Sequence, residues 1–185
     1  MNYEHDQWMA DSIRNFRLPR YQELPNMGLY LEQVIKYVNS FLAPQGGMEL
    51  TASMVSNYVK KGVIPNPVKK QYYAEHIAYL FFIYVAKQLV TIEDIALLMK
   101  MQRSSYTLPV AYDYFCGELE NMIFFLFGVK DSLDTVGVTE SEEKEMLYSL
   151  VVSFAHLVYM RARFEAIRRR RELQAHTDEE TAPSE

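Results

Sequence analysis

The chain has 185 residues, 49% of them apolar and 14% aromatic, with 19 basic and 24 acidic side chains for a formal net charge of -5. That length suits one domain plus a helical appendage and excludes a large multi-domain machine, while the apolar share is enough to build a core. The acidic balance excludes a uniformly basic nucleic-acid coat, though not a single local basic patch.

Residues 1–20 carry no clean period; Arg14, Arg17 and Arg20 stand three apart and Pro19 interrupts. Tyr21–Gly28 reads as a loop, so 1–28 forms an N-terminal extension. From Leu29 the apolar spacing becomes helical through Val34, Ile35, Val38 and Phe41, until Pro44 and Gly46-Gly47 stop it. Thr51 then precedes a helix over 52–61 that Gly62 closes, with Met54, Val55, Tyr58 and Val59 on its inner face. Pro65 and Pro67 make 63–73 an extended connector. A third helix is expected from Ala74 or Glu75 to about Gln88, and a short fourth from Thr91, with Asp94 at the capping-box position, to about Lys100. The stretch 102–108 reads as a turn.

Pro109 opens a fifth, broadly apolar helix that ends near Phe127 and Gly128. A linker over 129–140 contains Gly137. The last helix is expected over 141–173, acidic at its start and with six arginines (Arg161, Arg163, Arg168, Arg169, Arg170, Arg171) toward its end, a polarity the helix dipole favours. It carries a seam of threes and fours through Met146, Leu150, Ser153, Leu157, Met160, Phe164, Ile167 and Arg171. That seam reads either as a self-association face, using Leu150, Leu157, Met160, Phe164 and Ile167, or as packing within one chain. Residues 174–185 read as a disordered acidic tail.

The order of elements over 29–100 is the outline of a winged helix-turn-helix: a helix, a break, a polar-faced second helix, a lysine-bearing connector as the wing, and two further helices. Such a second helix enters the major groove. Ser53, Ser56 and Asn57 offer short polar groups for base edges; Asn pairs bidentately with adenine. Lys60 and Lys61 on the helix and Lys69 and Lys70 on the wing would neutralise phosphate. Tyr58 and Tyr72 are candidates for backbone contact, Tyr58 equally for the core. The plain alternative is a solvated helical face. Residues 1–100 carry ten basic and nine acidic side chains, a net of +1, whereas the rest carries nine and fifteen, a net of -6. The acidity therefore lies outside the proposed reading unit.

The run Thr51-Ala52-Ser53-Met54-Val55-Ser56-Asn57-Tyr58-Val59-Lys60-Lys61-Gly62-Val63-Ile64-Pro65, followed by Tyr72 or Tyr73 and by Val90-Thr91-Ile92-Glu93-Asp94-Ile95, resembles the DNA-binding domain of MerR-type regulators. The resemblance is closest to a bacterial family catalogued as domain of unknown function 1836, from Leu18-Pro19-Arg20-Tyr21 to about residue 100. It implies a mainly all-α fold: a MerR-like winged helix-turn-helix over 29–100, then an α-helical effector or dimerisation region over 101–173 with a long last helix. It implies a recognition helix starting at Thr51. Ser56-Asn57-Tyr58 stand where MerR-type proteins often carry Arg-Tyr-Tyr.

Other chemistry is sparse. Cys116 alone makes neither a disulfide nor a thiolate metal cluster, and its apolar setting reads as a buried thiol. No two of His5, His76, His156 and His176 stand at the spacing of a metal-binding helix, and no phosphate loop or nucleophile elbow occurs. No catalytic residue, metal or cofactor is expected. The aromatics of 106–127 suit either an effector pocket or core and interface. No apolar run reaches the roughly 18 residues of a membrane span. The expectation is a cytoplasmic, homodimeric transcriptional regulator that binds double-stranded DNA, with a small-molecule effector unassigned. The competing expectation is a helical interaction or scaffold protein that kept the fold without binding DNA.

Overall fold

The computed structural model describes residues 7–134 and 141–180, with side chains to residue 174. The fold is mainly helical. Its helices are α1 (Gln7–Ile13), α2 (Leu31–Leu42), α3 (Ala52–Lys60), α4 (Ala74–Ala86), α5 (Ile92–Ser105), α6 (Leu108–Leu126) and α7 (Glu142–Glu180). Gly137 and the rest of the second half of the expected linker, residues 135–140, lie outside the described residues.

The hub is α4. Its residues Ile77, Leu80, Phe81, Ile83, Tyr84 and Val85 are fully buried, because the helix is apolar on every side and has neighbours on every side. Helices α2, α6 and α7 all pack on it, and α6 also pairs with α7. Tyr37, Phe41 and Phe81 stack edge-to-face at 5.2–6.2 Å and tie α2 to α4. Cys116 is buried in α6, and desolvation pushes its thiol up to about 12, so it is chemically quiet.

Four expectations change. Residues 7–13 form a helix, held by tertiary packing: Met9, Ala10 and Ile13 are buried, and Trp8 lies under the Arg169 guanidinium of α7 at 4.3 Å. Helix α5 continues through the polar 101–105 stretch, because Arg103 bonds outside its own helix. Helix α7 runs on to Glu180, past the expected end at 173; residues 181–185 lie outside the described residues. The N-terminal extension, described from residue 7, is fixed to α6. Leu18 is fully buried, and the Glu120 carboxylate of α6 accepts from the Leu18 amide at 2.7 Å and from both Arg20 terminal nitrogens at 2.8 and 2.6 Å. The Asp113 carboxylate accepts from the Tyr21 amide at 2.7 Å, and the Tyr112 hydroxyl donates to the Pro19 carbonyl at 2.9 Å.

Helix α7 has two apolar stripes rather than one. Val151, Phe154, Ala155, Val158 and Ala166 are buried against the chain's own core. Leu150 joins them at 6% exposed, which removes it from the self-association face expected above. Leu157 is half-buried, while Met146, Met160, Phe164 and Ile167 are exposed along the seam.

Candidate nucleic-acid interface

Helix α3 begins where the sequence places it. The Thr51 hydroxyl accepts from the Met54 amide at 3.3 Å, capping the first turn. Its end is a Schellman motif: the Val63 amide donates to the Tyr58 carbonyl at 2.9 Å and the Gly62 amide to the Val59 carbonyl at 2.9 Å. Gly62 adopts φ +69 there, a conformation glycine enters without the Cβ penalty. Val55 and Tyr58 are buried beneath the helix.

The opposite face carries Ser53, Ser56, Asn57 and Lys60, all exposed. Their spacing of three, four and seven places them on one side of the helix. Between Thr51 and Ala74 the chain contains four lysines and no carboxylate. The face is therefore polar, short-chained and locally basic within an acidic protein.

Two expected contacts are corrected. Tyr58 and Tyr72 are buried, 7% and 5% exposed, so both serve the core and neither reaches a ligand. Desolvation raises the pKa of both hydroxyls. Lys61 is exposed at the end of α3 and pairs on the surface with Glu93 at the start of α5 at 2.7 Å. On α3 itself Lys60 is the cation of the exposed face.

The connector after α3 is a two-residue hairpin with no regular strand; among the described residues only isolated bridge pairs occur. Val68 and Gln71 exchange both backbone bonds, at 3.0 and 2.9 Å, around Lys69 and Lys70. Both lysines have positive φ, 51 and 65. This is the sign pattern of a type I′ turn, where Asn and Gly are preferred and a lysine pair is strained by about 1 kcal/mol or more per residue. The Val68–Gln71 bonds keep the two cationic side chains at an exposed tip against that cost. The hairpin's return arm is fixed to the approach to α2: Leu29 and Tyr72 exchange bonds of 2.9 and 2.8 Å. Gly28 is needed beside them, since a Cβ there would lie 2.7 Å from the Gln71 Cβ.

Three residues position this unit, and two of them, Asn39 and Arg103, escaped the sequence reading. Asn39 of α2 accepts from the Leu50 amide at 3.0 Å and donates to the Leu50 carbonyl at 3.1 Å, fixing the chain just before Thr51. Arg103 donates to the Val63 carbonyl and to the Tyr79 hydroxyl, both at 3.1 Å, and so clamps the end of α3 to α4 and α5. His76 accepts from the Tyr73 amide at 3.1 Å through Nδ1, which leaves Nε2–H to donate to the Asn66 carbonyl at 3.2 Å. It ties the connector to the start of α4. Asn39 and Arg103 act on residues distant in sequence, so no local pattern announces them. The Thr91–Asp94 capping box, by contrast, forms as its spacing predicts: the Asp94 amide donates to the Thr91 hydroxyl at 3.3 Å and the Thr91 amide to the Asp94 carboxylate at 3.2 Å.

The family model of domain of unknown function 1836 matches residues 19–115, just over half of the chain. The chain belongs to the DUF1836 family. The matched segment opens at Pro19 and closes at Phe115, so it holds Arg20 and Tyr21, all of α2–α5 and the first part of α6. Its two ends meet in space through the Tyr112–Pro19 and Asp113–Tyr21 bonds. The DUF1836 segment is thus a closed unit that includes α3 and its hairpin. No curated protein and no solved structure matches the chain. Among the described residues no helix is long and apolar enough to cross a membrane, and no group of three His, Cys, Asp or Glu side chains is placed to hold a metal ion.

Proposed function

We propose that this DUF1836 protein is a sequence-specific DNA-binding transcriptional regulator that acts as a homodimer, built on a MerR-like winged helix-turn-helix plan. The observation that carries the reading is the exposed Ser53, Ser56, Asn57 and Lys60 face of α3 in a carboxylate-free stretch. Helix α3 enters the major groove, and Asn57 reads adenine. The Lys69–Lys70 hairpin stands in for the wing and contacts phosphate. The exposed Met160, Phe164 and Ile167 of the α7 seam, joined by half-buried Leu157, pair two chains. Pairing sets two α3 helices about one helical turn of DNA apart, roughly 34 Å.

The reading is tested by fluorescence anisotropy with a duplex of random sequence over a range of salt. Three cations per chain, Lys60, Lys69 and Lys70, give a homodimer up to six phosphate contacts and a log–log salt slope of about -5. Lys69→Gln with Lys70→Gln brings the slope to about -2. Absence of salt-dependent binding at low ionic strength overturns the reading. It would favour the second one, an interaction protein without DNA binding, for which the Lys61–Glu93 pair at the edge of α3 speaks.

A further inference from the structure

A cavity of about 160 Å³ lies between α4, α5, α6 and the start of α7. Tyr79, Phe82, Tyr106, Tyr112, Tyr114 and Phe115 supply aromatic rings to its wall, and the lining is almost wholly apolar. The polar groups around it are used by the chain itself. The Tyr79 hydroxyl accepts from Arg103 at 3.1 Å, the Tyr112 hydroxyl donates to the Pro19 carbonyl at 2.9 Å, and the Gln102 amide nitrogen donates to the Tyr106 carbonyl at 2.8 Å. Glu143 accepts from the Ser105 hydroxyl at 2.6 Å, and the Lys144 ammonium lies 5.4 Å from the ring centroids of both Tyr106 and Tyr114. Val110, a lining residue at the start of α6, is 58% exposed, so the cavity reaches the surface there.

We infer that this cavity binds an uncharged aromatic molecule of one ring. Size argues first: an apolar cavity of about 150 Å³ takes up benzene, so this one admits a ring with at most short substituents. Close-packed interiors leave few voids larger than a water molecule. Water is a poor occupant here, because a held water needs roughly two to four polar partners and the lining offers almost none. A charged ligand is a worse one, since its charge would leave water without gaining a partner. The rings decide between aromatic and aliphatic. Phe82 and Phe115 meet edge-to-face at 5.7 Å, and Tyr112 lies tilted on Phe115 at 6.4 Å. A further ring extends that cluster in offset or edge-to-face contact.

The cavity adjoins the clamp on the proposed reading helix. Tyr79, a wall residue, accepts from Arg103, and Arg103 donates to the carbonyl of Val63, three residues past the end of α3. An effect of the ligand on DNA binding would rest on the function proposed above; occupancy of the cavity does not.

The test is nuclear magnetic resonance titration of the full chain, without DNA, with its alanine and methionine methyl groups isotope-labelled. Benzene is the probe; cyclohexane lacks the π faces, and benzoate and benzylamine carry a charge of either sign at neutral pH. The expected result is saturable binding of benzene, with shifts centred on Ala78, Met99 and Ala111 of the lining and not on the exposed Met160 of α7. Cyclohexane should bind more weakly by about threefold, and each charged compound by about tenfold or more. Ala111→Phe from α6 and Leu98→Phe from α5 narrow the cavity; each should weaken benzene by about tenfold or more while the helical circular dichroism signal stays that of the wild type. Absence of saturable benzene binding overturns the inference, and so do shifts centred on Met160. So does cyclohexane or a charged compound that binds as tightly as benzene, and so does unchanged affinity in the folded filled variants. The wild-type titrations decide the matter even where a filled variant does not fold. Because DNA is absent, failure here is separate from failure of the DNA-binding reading.

Discussion

Replacing Glu120 with Gln changes two atoms' chemistry at the joint where the N-terminal segment meets α6. The carboxylate is 12% exposed and accepts three bonds of 2.6–2.8 Å, one from the Leu18 amide and two from the Arg20 fork. These bonds hold the Arg20 guanidinium well above its ordinary pKa. Glutamine keeps one acceptor oxygen for Leu18 but turns a donor toward the fork and removes the charge. Hydrogen bonds to charged groups contribute about 1.5–3 kcal/mol each, and Arg20, 30% exposed, recovers some hydration when released. The expected loss is about 2–3 kcal/mol. For a chain of this size that lowers Tm by about 5–10 °C. Urea unfolding of Glu120→Gln, Arg20→Met and the double variant closes the cycle, with an expected coupling of at least about 1 kcal/mol. A Glu120→Gln protein within about 0.5 kcal/mol of wild type, or strict additivity in the cycle, would refute the claim that this pair closes the domain.

Asn39→Ala strands the Leu50 amide and carbonyl in a buried setting and should cost about 2–3 kcal/mol in urea unfolding, whereas an exposed-site effect below about 0.5 kcal/mol would count against its role before α3. Lys69→Asn with Lys70→Gly installs the residues a type I′ turn prefers; it should stabilise the fold by about 1 kcal/mol and weaken DNA binding at the same time, and a loss of stability would deny the strain. Partial burial pushes Lys87 down to about 8. Between pH 8 and about 10 the unfolded chain keeps a proton there that the folded chain releases, so stability rises with pH across that window. Above about 10 the buried Tyr84 and Tyr112, whose hydroxyls desolvation pushes up, reverse the slope. Urea midpoints measured over that range should show the rise in wild type and its absence in Lys87→Met.

The helices α2 to α7 are legible because their punctuation is local. Thr51, Thr91 and Gly62 mark ends through bonds to residues only a few positions away, and Pro109 marks the start of α6 because the first turn asks no N–H of it. Helix α1 is not legible, since a seven-residue segment is stabilised by its contacts with α6 and α7 rather than by its own pattern. The same holds for the last turns of α5, which Arg103 anchors through bonds to Tyr79 and Val63. On α7 a heptad reading finds the exposed apolar stripe but assigns Leu150 to it wrongly, because a second stripe one position along, through Val151, Phe154 and Val158, packs inward and takes Leu150 with it. At the candidate site the polar face of α3 follows from helical spacing alone. The burial of Tyr58 and Tyr72 does not, because an aromatic with a hydroxyl is equally at home in a core and at a surface. The left-handed Lys69–Lys70 tip runs against residue preference and was invisible for that reason.

Selection of bound fragments from random DNA, run in parallel with wild type and with Asn57→Ala, tests the central claim most directly. An Asn–adenine pair discriminates by about 1–3 kcal/mol, so the wild type should enrich a paired half-site motif, and the variant should still bind but lose its adenine preference at one position in each half. A wild type that enriches no sequence at low salt, or a variant that enriches the same motif unchanged, would contradict the assignment of α3 as the reading helix.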